Sequence, residues 1–372
     1  MADAPLAGIR VVELARILAG PWAGQVLADL GADVVKVESA DGDDTRRWGP
    51  PFIDNGDGTR DAAYFHAANR GKTSRVIDFS TPEGQAEVRA LIADADVVIE
   101  NFKVGGLAKY GLDYASLAPL HPRLVYCSIT GFGQTGPYAA RAGYDFIVQG
   151  MSGIMDITGP ADGQPQKIGV AYADIMTGLY AVIAIQAALR QRESIGRGQM
   201  IDMALFDVMV GTLANQGMNY LASGISPTRM GNAHPNIVPY EAYPTADGWC
   251  IVAAGNDAQF QRVWSLLGLP TDPTLATNSE RVARRTEVSL AIGEATKTWQ
   301  RDALLAELER IGVPAGPINT VAQALNDPQI AARAMVVDLP RDSGPPVRTL
   351  RTPIRFSEAE LRTGPAAPPL GR

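Results

Sequence analysis

One aspartate stands at the start of an apolar helical stretch, where a carboxylate can act on a bound substrate. Asp174 lies in the segment KIGVAYADIMTGLYAVIAI, which passes from loop-like residues into a long apolar run, and Gly178 follows one turn later and permits close packing. Capping the helix is the commoner role for an aspartate in this position. A carboxylate at a helix N-terminus is also held ionised, and the same helix end stabilises oxyanions formed beside it. The spacing therefore predicts a helix cap, a nucleophile, or both in one residue.

Several short segments follow the predicted strands in the first half of the chain. The first is the turn Ala19–Gly24 between a strand and a helix N-terminus, which is where parallel sheets bind ligand phosphates. The dinucleotide fingerprint GxGxxG is absent and Pro21 supplies no N–H, so the pattern disfavours a nicotinamide dinucleotide site. Glu100–Phe102, Ser128–Gly133 and Arg141–Asp145 end or follow further strands. Taken singly, each segment is equally typical of an ordinary turn.

The charged residues limit which ligands and partners the chain can bind. The net charge is −7, which disfavours nucleic acid or an anionic membrane as a partner. A local set of cations lies on the predicted rim and suits the phosphates of a ligand, unless it forms an ordinary solvated face: Lys72, Arg75, Lys103 and Lys109. With three histidines and neither a CxxC nor an HExxH motif, no metal site is expected.

The elements that position these residues alternate between strands and helices. Strands at 9–14 and 32–38 flank a helix from Pro21 to Leu30, which is a βαβ unit. Further strands are predicted at 74–79, 95–101 and 124–132, and a helix runs from Thr81 through Ala93. This alternation predicts an α/β fold with a doubly wound, Rossmann-like parallel sheet. Helices are then predicted at 173–192 and 203–223.

Near residue 225 the pattern changes to that of a smaller α+β domain. Residues 239–255 predict a β-hairpin with Asp247 and Gly248 as its turn, followed by helices at 257–267, 284–298 and 301–311. The predicted organisation is a large domain at 1–225, a small domain at 226–320, and a C-terminal segment at 321–372 that returns to the large domain.

Neither a targeting segment nor a membrane span is expected. The first residues lack the basic and apolar regions of a signal peptide. The most apolar stretch, Leu179–Leu189, is much shorter than the roughly 20 residues of a membrane-spanning helix. We therefore expect a cytoplasmic protein, or one in an organelle matrix after loss of a transit peptide.

Many ordered segments of the chain together resemble the family III CoA-transferases, the group that includes formyl-CoA transferase and the carnitine and bile-acid CoA-transferases. The resemblance covers essentially the whole chain and depends on the segments LAGIRVVELARILAGPWAGQVLADLGADVVKVE, GDDTRRWGPPF, NRGKTSRVIDFSTPEG, VVIENF, ITGFGQTGP, RAGYD, GRGQMIDMAL, GNAHPNIVPY and GVPAGPIN, and on the segment around Asp174. It implies that Asp174 is a nucleophile that forms an acyl anhydride and then a CoA thioester.

The resemblance also implies the ligand and the assembly. CoA and its acyl thioesters are substrates, with no permanently bound cofactor, and two chains form an interlaced homodimer. The loop Gly231–Tyr240 falls where relatives carry a mobile lid, and we expect it to cover the site. Anhydrides hydrolyse readily, so such a site must exclude water.

Carrying the family's CoA contacts over by position gives Ile17, Leu18, Ile77, Asn101, Phe102, Lys109 and Tyr144. The chain departs from formyl-CoA transferase where that enzyme has basic residues, because Ser39, Ser80 and Ala142 stand there instead. We therefore expect Arg75 or Lys103 to replace the missing cations at the CoA phosphates.

The acceptor and the reaction class leave alternatives open. The segments TRRWGPPF and YCSITGFGQTGP look closest to relatives that use succinyl-CoA and dicarboxylates. Arg46 or Arg47 would bind the distal carboxylate, with His234 of the lid as another candidate, although both arginines are equally typical of exposed structural positions. An α-methylacyl-CoA racemase on the same fold is disfavoured, because Tyr144 replaces that enzyme's catalytic histidine and a phenol is a poor base at neutral pH. A non-catalytic CoA- or nucleotide-binding protein is the third hypothesis.

Overall fold

The computed structural model describes residues 4–341, 343–361 and 364–372. These residues form two compact units. The first unit takes its described residues from 1–155, 167–225 and 329–372, and the second comprises residues 156–166 and 226–328.

The strands and helices are as follows. In the described residues the strands are β1 Arg10–Glu13, β2 Asp33–Glu38, β3 Phe52–Asp54, β4 Arg60–Ala62, β5 Lys72–Val76, β6 Val97–Glu100, β7 Val125–Thr130, β8 Met200–Ala204, β9 Tyr240–Thr245, β10 Gly248–Ala253, β11 Ala315–Pro317, β12 Val336–Leu339 and β13 Val347–Leu350. The helices are α1 Ala19–Asp29, α2 Ala63–His66, α3 Pro82–Ala93, α4 Tyr114–Leu117, α5 Asp145–Met151, α6 Tyr172–Ile195, α7 Leu205–Gly211, α8 Ala214–Ser223, α9 Asp257–Leu266, α10 Asn278–Ala283, α11 Arg285–Thr296, α12 Arg301–Arg310, α13 Val321–Leu325 and α14 Pro328–Ala332.

A six-stranded sheet in the order β5-β2-β1-β6-β7-β8 forms the centre of the first unit, and all of its pairings are parallel. This confirms the predicted α/β fold with a parallel sheet. After β1, the strands β2 and β5 extend the sheet on one side, and the later strands β6, β7 and β8 extend it on the other side. The order of the strands therefore reverses between β1 and β6. In open parallel sheets, ligands bind outside the carboxyl ends of the strands at such a reversal.

Both faces of the sheet are covered, as the alternation of side chains along its strands requires. Val11 and Ile99 belong to a core cluster shared with α1 and α6. Val12 and Val98 point the other way, into a cluster shared with α3. Beside the sheet, the first unit carries two antiparallel hairpins, β3–β4 and β12–β13.

The second unit has an antiparallel sheet in the order β11-β10-β9, with the buried side chains of α9, α11 and α12 in the same core cluster. The predicted hairpin is present, but its turn lies one residue earlier than expected. Thr245 pairs with Gly248, so Ala246 and Asp247 are the two turn residues. The carboxylate of Asp247 stabilises the turn by accepting hydrogen bonds from the Thr245 hydroxyl and from the backbone N–H of Arg301.

The predicted helix at 203–223 begins two residues too early, because Met203 and Ala204 belong to a strand. Met200–Ala204 is a strand that pairs in parallel with β7 and forms one edge of the large sheet. The remainder is two helices rather than one, because α7 ends at Gly211 and Ala214, the first residue of α8, adopts a positive φ of 47°. Pairing with the sheet has overridden a local pattern that favoured helix.

The helix that begins at Tyr172 is central to the first unit. Its length and composition would suffice to cross a membrane, and 44% of its most apolar window is buried inside the protein. Gly178 permits a close approach to α1, since a Cβ atom at this position would lie 2.8 Å from the carbonyl oxygen of Ala19. The predicted close packing at this glycine is confirmed.

Candidate active site

The loop between β1 and α1 is held in a strained conformation at the reversal of the sheet. Ile17 has a φ of 71°, which is a costly conformation for a β-branched residue. The carboxylate of Asp43 accepts the Ile17 N–H at 3.1 and 3.3 Å from its two oxygens. Next to it, the side chain of Asn101 accepts the Arg16 N–H and donates to the Arg16 carbonyl. The loops after β1 and β6 are therefore hydrogen-bonded to each other where a ligand is expected.

Buried charges beneath this loop fix its shape. The ammonium of Lys36 contacts Glu13 and Asp43, each at 3.0 Å, and donates to the carbonyl of Ala15 at 2.8 Å. The ammonium of Lys72 contacts Glu13 and donates to the carbonyl of Pro21, both at 2.8 Å. Burial lowers the pKa of Lys72 to about 8 in spite of Glu13. Since their ammonium groups bind carbonyls at both ends of the loop, the two lysines position it rather than binding a ligand.

Asp174 lies in the first turn of α6 and is not its cap, because the N-cap residue is Ala171. The capping role predicted for Asp174 is therefore wrong. The side chain is partly buried, and among the described residues no hydrogen bond reaches its carboxylate. Burial, assisted by the negative charge of Asp145, raises its pKa to about 7. The helix N-terminus does not keep this carboxyl strongly acidic, contrary to expectation. An unpaired carboxylate of raised pKa is more basic and more nucleophilic than an ordinary one.

A chain of hydrogen bonds holds the backbone on either side of Asp174. Asp145, the first residue of α5, accepts the N–H of Ala173 at 2.8 Å. Its other oxygen accepts from the side-chain amide of Gln149, also at 2.8 Å. The buried Gln149 in turn accepts the backbone N–H of Ile168 at 2.9 Å. Asp145 and Gln149 thus link α5 both to the start of α6 and to the segment that leads into it.

Tyr64 is a residue near the site that sequence reasoning missed. It belongs to the short helix α2, and its pKa is raised by burial and by the carboxylates of Asp174, Asp145 and Asp43. Its ring packs edge-on against Trp48 at 5.4 Å between centroids. No motif or spacing links position 64 to position 174, because only the folded chain brings α2 and α6 together.

The carboxyl end of β6 presents an aromatic surface. The carboxylate of Glu100 accepts the Phe102 N–H at 2.8 Å and fixes the turn. Burial raises the pKa of Glu100 to about 7, against the effect of hydrogen bonds from Ser128 and Phe102. The ring of Phe79 packs edge-on against both Phe102 and Tyr110.

The other predicted CoA contacts differ in exposure. Leu18 and Ile77 are buried, while Lys103 and Lys109 are exposed on the β6 side. Lys109 lies in a 3₁₀ turn with its ammonium 4.6 Å from the ring centroid of Tyr110. The remaining two are Arg75, whose guanidinium is 2.9 Å from Glu87, and the exposed Tyr144 just before α5.

The three predicted substrate residues lie in unlike surroundings. Arg46 is buried, with ion pairs to Glu38 and Asp61 at 2.6 and 2.8 Å, so its guanidinium is already engaged. Arg47 is exposed, and its guanidinium forms an ion pair with Asp44 at 3.3 Å. His234 lies in the second unit, where its Nδ1 accepts the N–H of Asn236 at 3.1 Å.

Comparison with protein families places the whole chain in one group. The sequence model of CoA-transferase family III matches residues 6–372. A succinate–glutarate CoA-transferase of Agrobacterium fabrum is 59% identical over 99% of this chain and 93% of its own length. A succinyl-CoA:glutarate CoA-transferase of Mus musculus is 40% identical over 99% of this chain and 84% of its own length.

The fold comparison agrees. The crystal structure of a CAIB/BAIF family protein from Brucella suis superimposes with a TM-score of 0.90 at 63% sequence identity, covering 100% of this chain and 97% of that one.

Proposed function

The chain belongs to CoA-transferase family III, and from that premise we propose that it moves CoA from succinyl-CoA to a dicarboxylate acceptor such as glutarate through covalent intermediates on Asp174. The environment of the Asp174 side chain supports a nucleophile at this position. Its carboxylate is partly buried, has no hydrogen-bond partner among the described residues, and has a pKa raised to about 7. The names of the similar enzymes support succinate and glutarate as the acids.

The reaction proceeds in four balanced steps. An oxygen of Asp174 attacks the thioester carbonyl of succinyl-CoA, the C–S bond breaks, and a mixed anhydride and CoA thiolate form. The thiolate attacks the aspartyl carbonyl of the anhydride, which releases succinate and leaves an aspartyl-CoA thioester. The acceptor carboxylate attacks that thioester and again gives an anhydride and thiolate. The thiolate then attacks the acceptor's carbonyl, which yields the new acyl-CoA and free Asp174.

The chain's own groups supply positioning for these steps. Asp145 and Gln149 hold the first turn of α6, and the strained loop at Ile17 lies at the reversal of the sheet, where a ligand of a parallel sheet is expected. Lys103, Lys109 and Arg75 are the cations available for the CoA phosphates, and Phe102, Asn101, Leu18, Ile77 and Tyr144 complete the predicted contacts. Of the two arginines proposed for the distal carboxylate, the geometry favours Arg47, because Arg46 is already paired with Glu38 and Asp61.

The state of assembly and the location are further parts of the proposal. The helices α6 and α8 expose large apolar side chains, among them Ile183 and Leu221 at 62% and 75% exposure. Such a surface marks a protein–protein contact, and we propose that a second copy covers it in a homodimer. A cytoplasmic location fits an enzyme of this chemistry.

Trapping of the intermediate tests the mechanism. The protein is incubated with succinyl-CoA, treated with borohydride or hydroxylamine, digested and mapped by mass spectrometry. We expect modification at Asp174, and loss of both labelling and CoA exchange in Asp174→Asn. Exchange that persists in Asp174→Asn would refute the nucleophile. The racemase would be favoured if, in deuterated water and without an acceptor, the α-carbon of the acyl-CoA takes up deuterium while CoA stays attached to its acid.

A further inference from the structure

A cationic cavity in the first unit is lined by residues that are not assigned to catalysis or to CoA. Its volume is about 550 Å³, and its walls come from β12, from the segment after β13, and from Asp29 and Arg70. Its lining contains neither Asp174 nor any of the predicted CoA contacts. We propose that this cavity binds an amphipathic anion, a phosphate or carboxylate group carried on an apolar body.

The arginines of the cavity are positioned mainly by backbone carbonyls. Arg351 donates to the carbonyls of Thr352 and Ile354 at 3.2 and 3.3 Å. Arg355 donates to the carbonyl of Arg333. Neither arginine has an ion pair to a carboxylate within the described ranges. Carbonyl oxygens fix where a guanidinium points without neutralising its charge, so donors remain for an anion.

Positive charge outweighs negative charge around the cavity. Asp29 is already paired with Arg70, and Glu360 is the other carboxylate in the lining. Against these stand Arg70, Arg351 and Arg355. Desolvation lowers the pKa of Arg355, and the neighbouring guanidiniums of Arg351 and Arg333 lower it further through repulsion of like charges. An anion between these guanidiniums would relieve that repulsion.

The rest of the lining selects for an apolar body. Ala334, Val337, Leu339 and Phe356 contribute apolar surface, and Phe356 is half exposed although it is large and aromatic. A site in which a few directed cations lie beside apolar side chains is typical of organic ligands rather than free inorganic ions. The combination indicates one charged end and one hydrocarbon end.

Binding of octyl phosphate tests the site, because this phosphate monoester has no carboxylate and cannot accept CoA. It is titrated calorimetrically, below its micelle concentration, into the full chain saturated with CoA. We expect saturable binding of one molecule per chain, stronger than that of inorganic phosphate or octanol alone. Octanoate in a parallel titration distinguishes a carboxylate from a phosphate head group by which of the two binds more tightly.

Variants assign the binding to the cavity. Arg351→Gln/Arg355→Gln should weaken binding by about tenfold or more, the usual effect of losing charged hydrogen bonds. Arg348→Gln is the matched control, since Arg348 is exposed on β13 outside the cavity and should leave affinity unchanged. If the double variant does not fold, the exposed Arg355→Gln alone, checked by thermal melting, should show the smaller loss.

Three results would overturn the proposal. The first is the lack of saturable binding by both octyl phosphate and octanoate. The second is an affinity that the cavity variants leave unchanged or that Arg348→Gln lowers equally, which would indicate general surface attraction. The third is binding of inorganic phosphate as tight as that of octyl phosphate. CoA transfer should remain at its original rate in the cavity variants, so failure here is separable from failure of the Asp174 mechanism.

Discussion

Asp174 has an ionisation that kinetics can measure. Burial and Asp145 raise its pKa to about 7, and only the ionised carboxylate can attack a thioester. Protonation therefore removes the nucleophile as the pH falls through 7, whereas an unperturbed aspartate would stay ionised to about pH 4. We expect kcat/KM for succinyl-CoA to be level above pH 8 and to fall about tenfold per pH unit below 6. A profile that stays flat down to pH 5 would contradict the raised pKa.

The neighbouring carboxylate offers a variant that moves this profile. Burial is the main cause of the raised pKa of Asp174, and Asp145→Asn removes the charge that adds to it, so the acidic limb should shift to lower pH. Gln149→Met is the comparison, since it breaks the hydrogen bond that holds Asp145 but leaves the charge in place. We expect Gln149→Met to lower kcat about tenfold or more, because the nucleophile is misplaced. The acidic limb of the kcat/KM profile should stay near its original pH. The same shift in both variants would show that charge is not the cause.

The contact between α6 and α1 determines whether the nucleophile and the strained loop keep their places. In Gly178→Ala the new methyl group would lie 2.8 Å from the carbonyl oxygen of Ala19, so the helices must separate. Overpacking of this kind costs about 1–3 kcal/mol, and the free energy of unfolding should fall by that amount in urea titrations. CoA transfer should fall as well, because Ala19 begins the helix that follows the loop at Ile17.

Gly211 is the matched control for that change. It is also helical, but a Cβ atom there would meet nothing within 4 Å. Gly211→Ala should leave transfer unchanged and keep or slightly raise stability, since alanine favours helix over glycine by up to about 1 kcal/mol. Equal losses in the two variants would mean that the contact with α1 is not the cause.

Local patterns located five of the six strands of the sheet, although β5 lies two to three residues earlier than the predicted 74–79, and they missed the edge strand β8. The βαβ unit at the start is visible in the sequence because β-branched runs, Pro21 and Gly31 mark its parts. The strand Met200–Ala204 was missed, because it forms by pairing with β7, a contact between distant segments. Among the residues of the candidate active site, Asp174 could be selected from the sequence. Tyr64, Gln149 and the pairing of Arg46 could not, since each depends on neighbours that only the fold supplies.

At the scale of the whole molecule, the exposed apolar surface on α6 and α8 predicts a dimer that single substitutions can weaken. Leu221 and Ile183 are large, apolar and mostly exposed, and burying them against a second copy would stabilise association by removing them from water. Leu221→Lys should therefore shift the sedimentation profile from dimer toward monomer as the protein is diluted, since a buried lysine lacks a partner. Leu120→Lys, at a similarly exposed leucine outside both helices, should leave the profile unchanged. A wild-type chain that sediments as a monomer at every concentration would refute the proposed assembly.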